Sequence, residues 1–351
     1  MAARMKDIAK ALNVSIVTVS KVLNKNDSKI SEATRQRVLA CARQLDYRTN
    51  LAAKGLATGH SKTIGLIVPE LFHGFFAEVA AGMSDALAQQ GYGLIISSSR
   101  DDVKLENRDI KQMLARSVDA LVVASCSSDA DVLMSADREV PVILLDRRVD
   151  HSGAFWLVGA DDLLVGELAT QHLVDIGRKR IAFIGAASSS PSSDRKKGYR
   201  SVMSGAGLSV PPGFVVRLPQ NEESNHVLGA KFTRQLLKLK PRPDAVFCYN
   251  DPTAWGATFA IHEAGLRIPE DIAILGCGNS IYNGFFGVPL TSVDLNAAHM
   301  GQEAANLVLR VIKERSQKAR HTPTALLLRP TLVVRGSTIG DTRNKDRKGS
   351  K

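Results

Sequence analysis

Short apolar runs alternate with amphipathic segments along most of this chain, and the alternation restarts after Gly159. Apolar runs of about four to eight residues predict buried parallel strands, and the segments between them predict helices. The predicted strands are TIGLIV, YGLIIS, DALVVA and PVILLD before Gly159, and RIAFIG, AVFCYN and IAILGCG after it. Two such units in tandem predict an α/β core of two doubly wound parallel-sheet lobes, with a ligand cleft at the carboxyl ends of the strands.

The composition is that of a globular protein with two or three domains. At 351 residues, 44% of them hydrophobic, the chain can fill sizeable cores. It has no apolar run near the ~20 residues of a membrane span and no signal-peptide-like start, so we expect a cytoplasmic protein without a membrane partner. The four cysteines are scattered and form no Cys/His cluster. This spacing predicts neither disulfides nor a metal site.

The net charge of +11 is concentrated at the two ends of the chain. Residues 1–61 contain eleven Lys/Arg and four Asp/Glu, and residues 341–351 contain five basic and two acidic residues. The final segment has little to bury, which predicts a basic flexible tail. A basic head favours a polyanionic partner when it also carries a docking motif.

The basic head contains three amphipathic segments. Met5–Leu12 places apolar residues on one helical face, Asn13 suits the left-handed backbone of a tight turn, and Ser15 suits the cap of a second helix. A third helix is predicted from Ser31. The residues predicted to face the core of the head are Val19, Val22, Leu23, Val38, Ala42 and Leu45.

Ile16 and Val17 point away from that core face. Helix, tight turn, helix and supporting helix form a helix-turn-helix, whose second helix enters the DNA major groove by its N-terminal end. There an apolar side chain can pack on a thymine methyl, while hydroxyl and ammonium groups reach phosphates or base acceptors. The contacts predicted on this helix are Ser15, Ile16, Val17, Thr18, Ser20 and Lys21. A three-helix bundle with surface valines is the alternative.

The segments MKDIAKALNVSIVTVSKVLN and ISEATRQRVLACARQLDYRTNLAAKGL resemble the head and hinge of the LacI/GalR family of bacterial repressors, and the resemblance continues to about Arg335. It implies that NLAAKGL is a hinge that becomes helical on operator DNA, with Leu56 wedged into a minor-groove step. Thr49 stands where proline is usual, and Lys54 where arginine is typical. The further DNA contacts implied by the resemblance are Asn24, Tyr47, Asn50, Lys54 and Leu56.

The resemblance also implies an effector pocket in which arginine, carboxylate and amide groups hold a sugar or related small molecule. The candidate residues are Phe72, His73, Phe75, Asp146, Arg195, Asn250, Asp251 and Asn279. A helix cap or a loop contact is the alternative role for each of them. Gly278 and Asn279 stand where many relatives have an acidic pair, so we expect an effector that is less polyhydroxylated than usual or bound in another register.

These features predict a small all-α helix-turn-helix head at 1–48, a hinge at 49–61, a core resembling periplasmic binding proteins at 62–340 and a tail at 341–351. Within the core, the resemblance implies that the chain crosses between the lobes more than once. It places lobe one at about 62–160 and 290–321, and lobe two at about 161–289 and 322–340.

The predicted function is a transcription regulator, most simply a repressor, that binds a palindromic operator as a homodimer and responds to a small-molecule effector without any cofactor. A protein corepressor is a further candidate partner. An enzyme is the alternative class, but the chain has no G-x-G-x-x-G opening a helix, P-loop, H-E-x-x-H or G-x-S-x-G motif. A sugar-binding protein that does not bind DNA fits the core and not the basic head.

Overall fold

The computed structural model describes residues 3–24, 30–47, 55, 59–72, 74–219, 224–317 and 322–339. The chain divides into two compact units, Met1–Ser61 and Lys62–Lys351. Within the described residues, no helix is long and apolar enough to cross a membrane, and no cluster of three side chains could hold a metal ion. The predicted sites that lie outside the described residues are Asn50, Lys54, Leu56, His73 and the tail 341–351.

The first unit contains the helices α1 (Met5–Leu12), α2 (Ile16–Leu23) and α3 (Glu32–Gln44). Asn13 takes the left-handed backbone, with φ of 52°, in the turn between α1 and α2. The Ser15 hydroxyl caps α2 by accepting a 3.0 Å hydrogen bond from the Thr18 amide. The buried core of this unit consists of Ile8, Ala9, Val19, Val22, Val38, Cys41 and Ala42.

The prediction that Leu45 faces this core is wrong. Leu45 is the C-cap of α3, and its side chain is 39% exposed. Helical periodicity ends there because Asp46 takes a left-handed backbone and the Tyr47 amide donates back to the Ala42 carbonyl. The chain therefore turns, and Tyr47 packs against the core of the head.

The second unit contains two six-stranded sheets. Its strands are β1 (Thr63–Val68), β2 (Gly93–Ser98), β3 (Ala120–Val123), β4 (Val142–Leu145), β5 (Trp156–Ala160), β6 (Ile181–Ala186), β7 (Val215–Leu218), β8 (Ala245–Cys248), β9 (Ala273–Cys277), β10 (Thr291–Asp294), β11 (Ala325–Leu328) and β12 (Thr331–Val333). Lobe one has the order β11-β5-β4-β3-β1-β2, and lobe two has the order β12-β10-β9-β8-β6-β7. Only β10 and β12 pair antiparallel among the described strands. The predicted pair of parallel-sheet lobes is confirmed.

Helices cover both sheets. They are α4 (Phe75–Gln89), α5 (Val103–Ala115), α6 (Asp131–Glu139), α7 (Asp162–Asp175), α8 (Ser190–Gly205), α9 (Asn225–Leu236), α10 (Asp251–Glu263), α11 (Ala297–Ser316) and α12 (Gly336–Ile339). One predicted strand, YGLIIS, differs in burial from the expectation. It forms β2 at the edge of its sheet, and its side chains are half-buried or exposed because only one neighbouring strand covers it.

The crossings between the lobes lie later than the predicted positions near 290 and 322. β10 pairs with β9 in lobe two, and β11 pairs with β5 in lobe one, so the chain crosses after Asp294 and again between Leu328 and Thr331. Between these crossings α11 packs closely on α4 of lobe one: a Cβ at Gly301 would lie 2.0 Å from the Val79 carbonyl oxygen. The predicted positions came from the resemblance, whereas the hydrogen bonds of β10 and β11 decide which sheet each strand joins.

Candidate functional site

A cleft lies between the two lobes, lined by residues that follow β1 and β4 on one side and β8 and β9 on the other. Its inner chamber has a volume of about 90 Å³. An outer groove of about 700 Å³ shares Pro69, Arg147 and Tyr249 with the chamber lining. The chamber brings together five of the predicted pocket residues, namely Phe75, Asp146, Arg195, Asn250 and Asp251.

Asp146 provides an uncommitted acceptor in the chamber. It follows β4 with a left-handed backbone, φ 60°, and its amide donates to the Val158 carbonyl over 2.7 Å. Its Oδ1 is buried and has no hydrogen-bond partner among the described residues. Burial raises the pKa of Asp146, although Arg195 and Arg147 oppose this effect. A ligand hydroxyl that donated to Oδ1 would satisfy a polar atom that is otherwise costly to bury.

Arg195 is buried and is already bonded within lobe two. It lies in α8, where Nε and Nη2 contact Asp162 Oδ1 at 2.8 and 2.7 Å and Nη1 donates to the Tyr249 carbonyl at 2.5 Å. Burial raises the pKa of Asp162 to about 6, against the lowering effect of Arg195. Arg195 therefore supports the chamber wall, and its removal tests stability as much as ligand binding.

Asn250 and Asp251 begin α10 and have different roles. The Asn250 Oδ1 caps the helix by accepting from the Thr253 amide and hydroxyl, which leaves its Nδ2 without a partner among the described residues. Asp251 accepts from the Ser292 hydroxyl, the Ser280 amide and the Asn283 Nδ2, at 2.6 to 2.8 Å. The loop-contact alternative thus describes Asp251, whereas Asn250 keeps a donor for a ligand.

Two predicted pocket residues are not brought into the inner chamber. Phe72 is 88% exposed and lines the outer groove. Asn279 has a left-handed backbone, and its Nδ2 donates to Asp294 while its Oδ1 accepts from Arg335. These bonds connect Asn279 to Asp294 and Arg335, and Asn279 does not line the inner chamber, so its role in effector binding stays a prediction.

The chamber also contains residues that the sequence reasoning missed. Phe76 packs edge to face on Phe75, with ring centroids 5.0 Å apart. Arg147 forms a 2.6 Å ion pair with Asp101. Phe76 and Arg147 directly follow the predicted residues Phe75 and Asp146, so the sequence could have indicated them. Asp101 reaches the chamber from a distant loop, and no local sequence pattern indicates it.

Arg148 joins the two lobes beside the chamber. The Arg148 amide donates to the Ser190 hydroxyl over 2.8 Å, and its guanidinium is ion-paired with Asp194 in α8. Burial alone would raise the pKa of Asp194, but hydrogen bonds from Lys197 and Arg148 hold it below its usual value. The charged pair clasps lobe one to lobe two.

The N-terminal end of α2 presents apolar side chains to solvent. Ile16 is 51% and Val17 61% exposed, while the Ser15 and Thr18 hydroxyls contact each other at 2.9 Å. Lys21 is also exposed. Elsewhere in the head, the Asn24 Nδ2 donates to the Ser20 carbonyl and Tyr47 packs on the core.

Two family models match the chain. Residues 61–329 match the periplasmic binding proteins and sugar binding domain of LacI family, and residues 4–50 match the bacterial regulatory proteins, lacI family. The chain belongs to the LacI family. This membership confirms the predicted fold and the predicted class of DNA-binding transcription regulator.

Several proteins resemble this LacI-family member along nearly its whole length. The ribose operon repressor of Escherichia coli (strain K12) is 33% identical over 339 residues, covering 95% of this chain and 99% of the relative. The HTH-type transcriptional repressor PurR of Aliivibrio fischeri (strain MJ11) is 29% identical, with coverages of 96% and 98%. All of these relatives are repressors.

Solved structures show the same fold. The lac repressor dimer bound to operator and the anti-inducer ONPF matches with a TM-score of 0.84 at 24% identity, covering 97% of this chain and 100% of that one. The complex of the transcriptional regulator CelR with cellobiose matches with a TM-score of 0.71 at 26% identity, covering 95% of this chain and 99% of that one.

The buried ion pair in this LacI-family chain yields a stability prediction. Arg195→Met should lower the free energy of unfolding by about 3 to 5 kcal/mol, because Asp162 keeps a buried charge without its partner. The double variant Asp162→Leu with Arg195→Met removes both charges and should lower the free energy of unfolding by less than Arg195→Met alone. Urea denaturation measures both.

The matched control is Arg267→Met, which breaks an exposed pair with Asp271 and should leave the urea midpoint close to wild type. If Arg195→Met lowers the free energy of unfolding no more than Arg267→Met does, the buried pair does not stabilise lobe two.

Proposed function

We propose that this protein is a repressor that binds a palindromic operator as a dimer and that a small sugar or sugar derivative in the inner chamber controls it. The observation that carries the DNA-binding part is the exposure of Ile16 and Val17 at the N-terminal end of α2, while Val19 and Val22 of the same helix are buried in the core of the head. Because the proposed ligand of the protein is chromosomal DNA, we place the protein in the cytoplasm. We propose that it acts as a regulator and not as an enzyme.

The head suits thymine-containing half-sites. Two exposed β-branched side chains at the end of a groove-reading helix match the C5 methyl group that thymine presents in the major groove. Ser20 and Lys21 lie on the same helix and supply donors for phosphates or base acceptors. We extend the proposed DNA contacts to Asn50, Lys54 and Leu56 of the hinge on the resemblance alone.

The inner chamber suits a small neutral polyol. Phe75 and Phe76 offer apolar ring surface, Asp146 offers an unsatisfied acceptor and Asn250 an unbonded amide donor. Its arginines are already paired with carboxylates, so little net positive charge is left to attract an anion. The names of the ribose operon repressor and the CelR–cellobiose complex support a carbohydrate.

An apolar patch on lobe two supports a dimer. Phe259, Ile281, Tyr282 and Phe285 are all at least half exposed. The ring of Trp255 lies 6.1 Å from that of Tyr282, so α10, which carries Phe259, contacts the loop that carries Ile281, Tyr282 and Phe285. Exposed apolar surface of this kind marks interaction sites, and the matching lac repressor structure is a dimer.

The first prediction here concerns the operator. A palindrome selected from genomic fragments should bind with log affinity falling against log salt with a slope of about 5 or more, because the basic head displaces phosphate counterions. Replacing one symmetric pair of thymines by deoxyuridine should weaken binding by about 1 to 3 kcal/mol, the scale of one changed base pair. Fluorescence anisotropy measures both effects.

Val17→Ala is the matched variant for that experiment. It should bind the thymine and deoxyuridine operators alike, because the methyl contact is already gone. A salt-independent affinity would contradict the DNA-binding proposal. Equal loss on deoxyuridine in wild type and Val17→Ala would assign the methyl contact to another residue.

A second prediction tests the chamber. Among pentoses and hexoses screened for a change in operator affinity, the active sugar should lose its effect on Asp146→Asn, which keeps the shape but replaces an anionic acceptor by a weaker one. Operator affinity without sugar should stay at wild type. Asp150→Asn, at an exposed position nearby, should respond normally, and an unchanged response of Asp146→Asn would remove Asp146 from the binding site.

A third prediction tests the dimer. Phe285→Glu should produce monomers in sedimentation velocity, because a carboxylate would be buried in the apolar interface without a partner. Phe72→Glu is the control, since Phe72 and Phe285 are exposed to similar extents, 88% and 85%. If both variants remain dimers, the proposed patch is not the interface.

A further inference from the structure

Lobe two contains a second cavity, apart from the inner chamber. It has a volume of about 160 Å³ and lies between α8 and the strands β6 and β7. We call it the lateral cavity. The residues that define it are Phe183, Gly185, Ser192, Ser193, Lys196 and Arg217. None of these six lines the inner chamber between the lobes, and the lateral cavity adjoins the outer groove, with which it shares Ala186 and Ala187.

The cations around the lateral cavity are not neutralised by the described residues. Lys196 is half-buried, Arg217 and Arg200 are exposed, and none of the three forms an ion pair within the described part of the chain. Burial lowers the pKa of Lys196, and the charges of Arg217, Arg200 and Lys197 lower it further. Cations held together without a carboxylate favour the entry of an anion.

The nearest carboxylate on α8 is engaged elsewhere. Asp194 contacts Arg148 through one oxygen and Lys197 through the other. The positive charge at the lateral cavity is therefore left over after the local ion pairs have formed.

Hydroxyl groups add donors to the same wall. Ser192 is buried, and its oxygen accepts from the Ala186 amide over 2.8 Å, so its own proton has no acceptor among the described residues. The Ser193 hydroxyl is exposed and has no partner there either. The polar groups that face the lateral cavity thus include several donors with free capacity and no side-chain carboxylate.

We propose that the lateral cavity binds a phosphate group, either as free phosphate or as part of a small phosphorylated metabolite. A phosphate has acceptor oxygens for several donors and a charge between −1 and −2, which suits a lysine and an arginine together. The concave shape and the buried Ser192 hydroxyl favour a small ligand over an extended polyanion. The site goes beyond the proposed function, because neither operator nor sugar binding requires it.

Isothermal titration calorimetry on the full-length protein tests the site. The two probes are inorganic phosphate and ribose 5-phosphate, and potassium chloride keeps the ionic strength constant. Wild type should bind at least one of them. Lys196→Ala and Arg217→Gln should each weaken that binding about tenfold or more, the usual effect of losing a hydrogen bond to a charged group. Thermal unfolding in chloride verifies that both variants are folded.

The matched control is Lys238→Ala, which removes an exposed lysine of the same lobe outside the lateral cavity. It should leave phosphate affinity unchanged. Equal affinity for the two probes identifies the phosphate group itself as the ligand, and tighter binding of ribose 5-phosphate identifies a phosphorylated metabolite. No binding to wild type, binding that survives both Lys196→Ala and Arg217→Gln, or an equal loss in Lys238→Ala would each overturn the proposal.

Discussion

A guanidinium and a carboxylate, both removed from water, hold three elements of lobe two together beside the cleft. Arg195 of α8 bonds to Asp162, which begins α7, and to the carbonyl of Tyr249 at the end of β8. The chain enters lobe two just before Asp162, where Asp161 caps α7, so this contact joins the first turn of that helix to α8. An ion pair with so little solvent costs a large desolvation free energy, and its geometry must be kept to recover it. The wall of the inner chamber is therefore held in place without a ligand.

The contacts that hold the chamber wall also decide which polar groups are left for a ligand. Arg195 and Asp251 have their bonding capacity largely used by neighbours, and the charge of Arg147 is paired with Asp101. Asp146 and Asn250 each keep an unused polar atom at the end of a strand, one from each lobe. A ligand that bonds to both would bridge the lobes and add to the clasp between Arg148 and Asp194. Closure of the cleft would then follow from satisfying the buried Asp146 oxygen and the Asn250 amide at once.

Sequence reasoning predicted what local patterns encode and missed what distant partners decide. The spacing of Val19 and Val22 and the exposure of Val17 follow from helical periodicity, and the structure has them as expected. The strands β10 and β11 are four residues long, and their sheet membership depends on hydrogen bonds to β9 and β5. The pocket shows the same limit. The sequence named Asp251, but its carboxylate is bonded to Ser280 and Asn283 of a loop and to Ser292 of β10, which are distant along the chain.

The helix α8 borders both the inner chamber and the lateral cavity, and this has a thermodynamic consequence. Arg195 faces the inner chamber and Lys196, the next residue, faces the lateral cavity, while Asp194 forms the clasp to lobe one. Three consecutive side chains thus connect one helical turn to three different environments. A ligand in either cavity that favours one position of this turn must alter the affinity of the other cavity by the same factor in both directions. The helix would then combine two chemical inputs, a neutral polyol and an oxyanion, in a single position relative to lobe one.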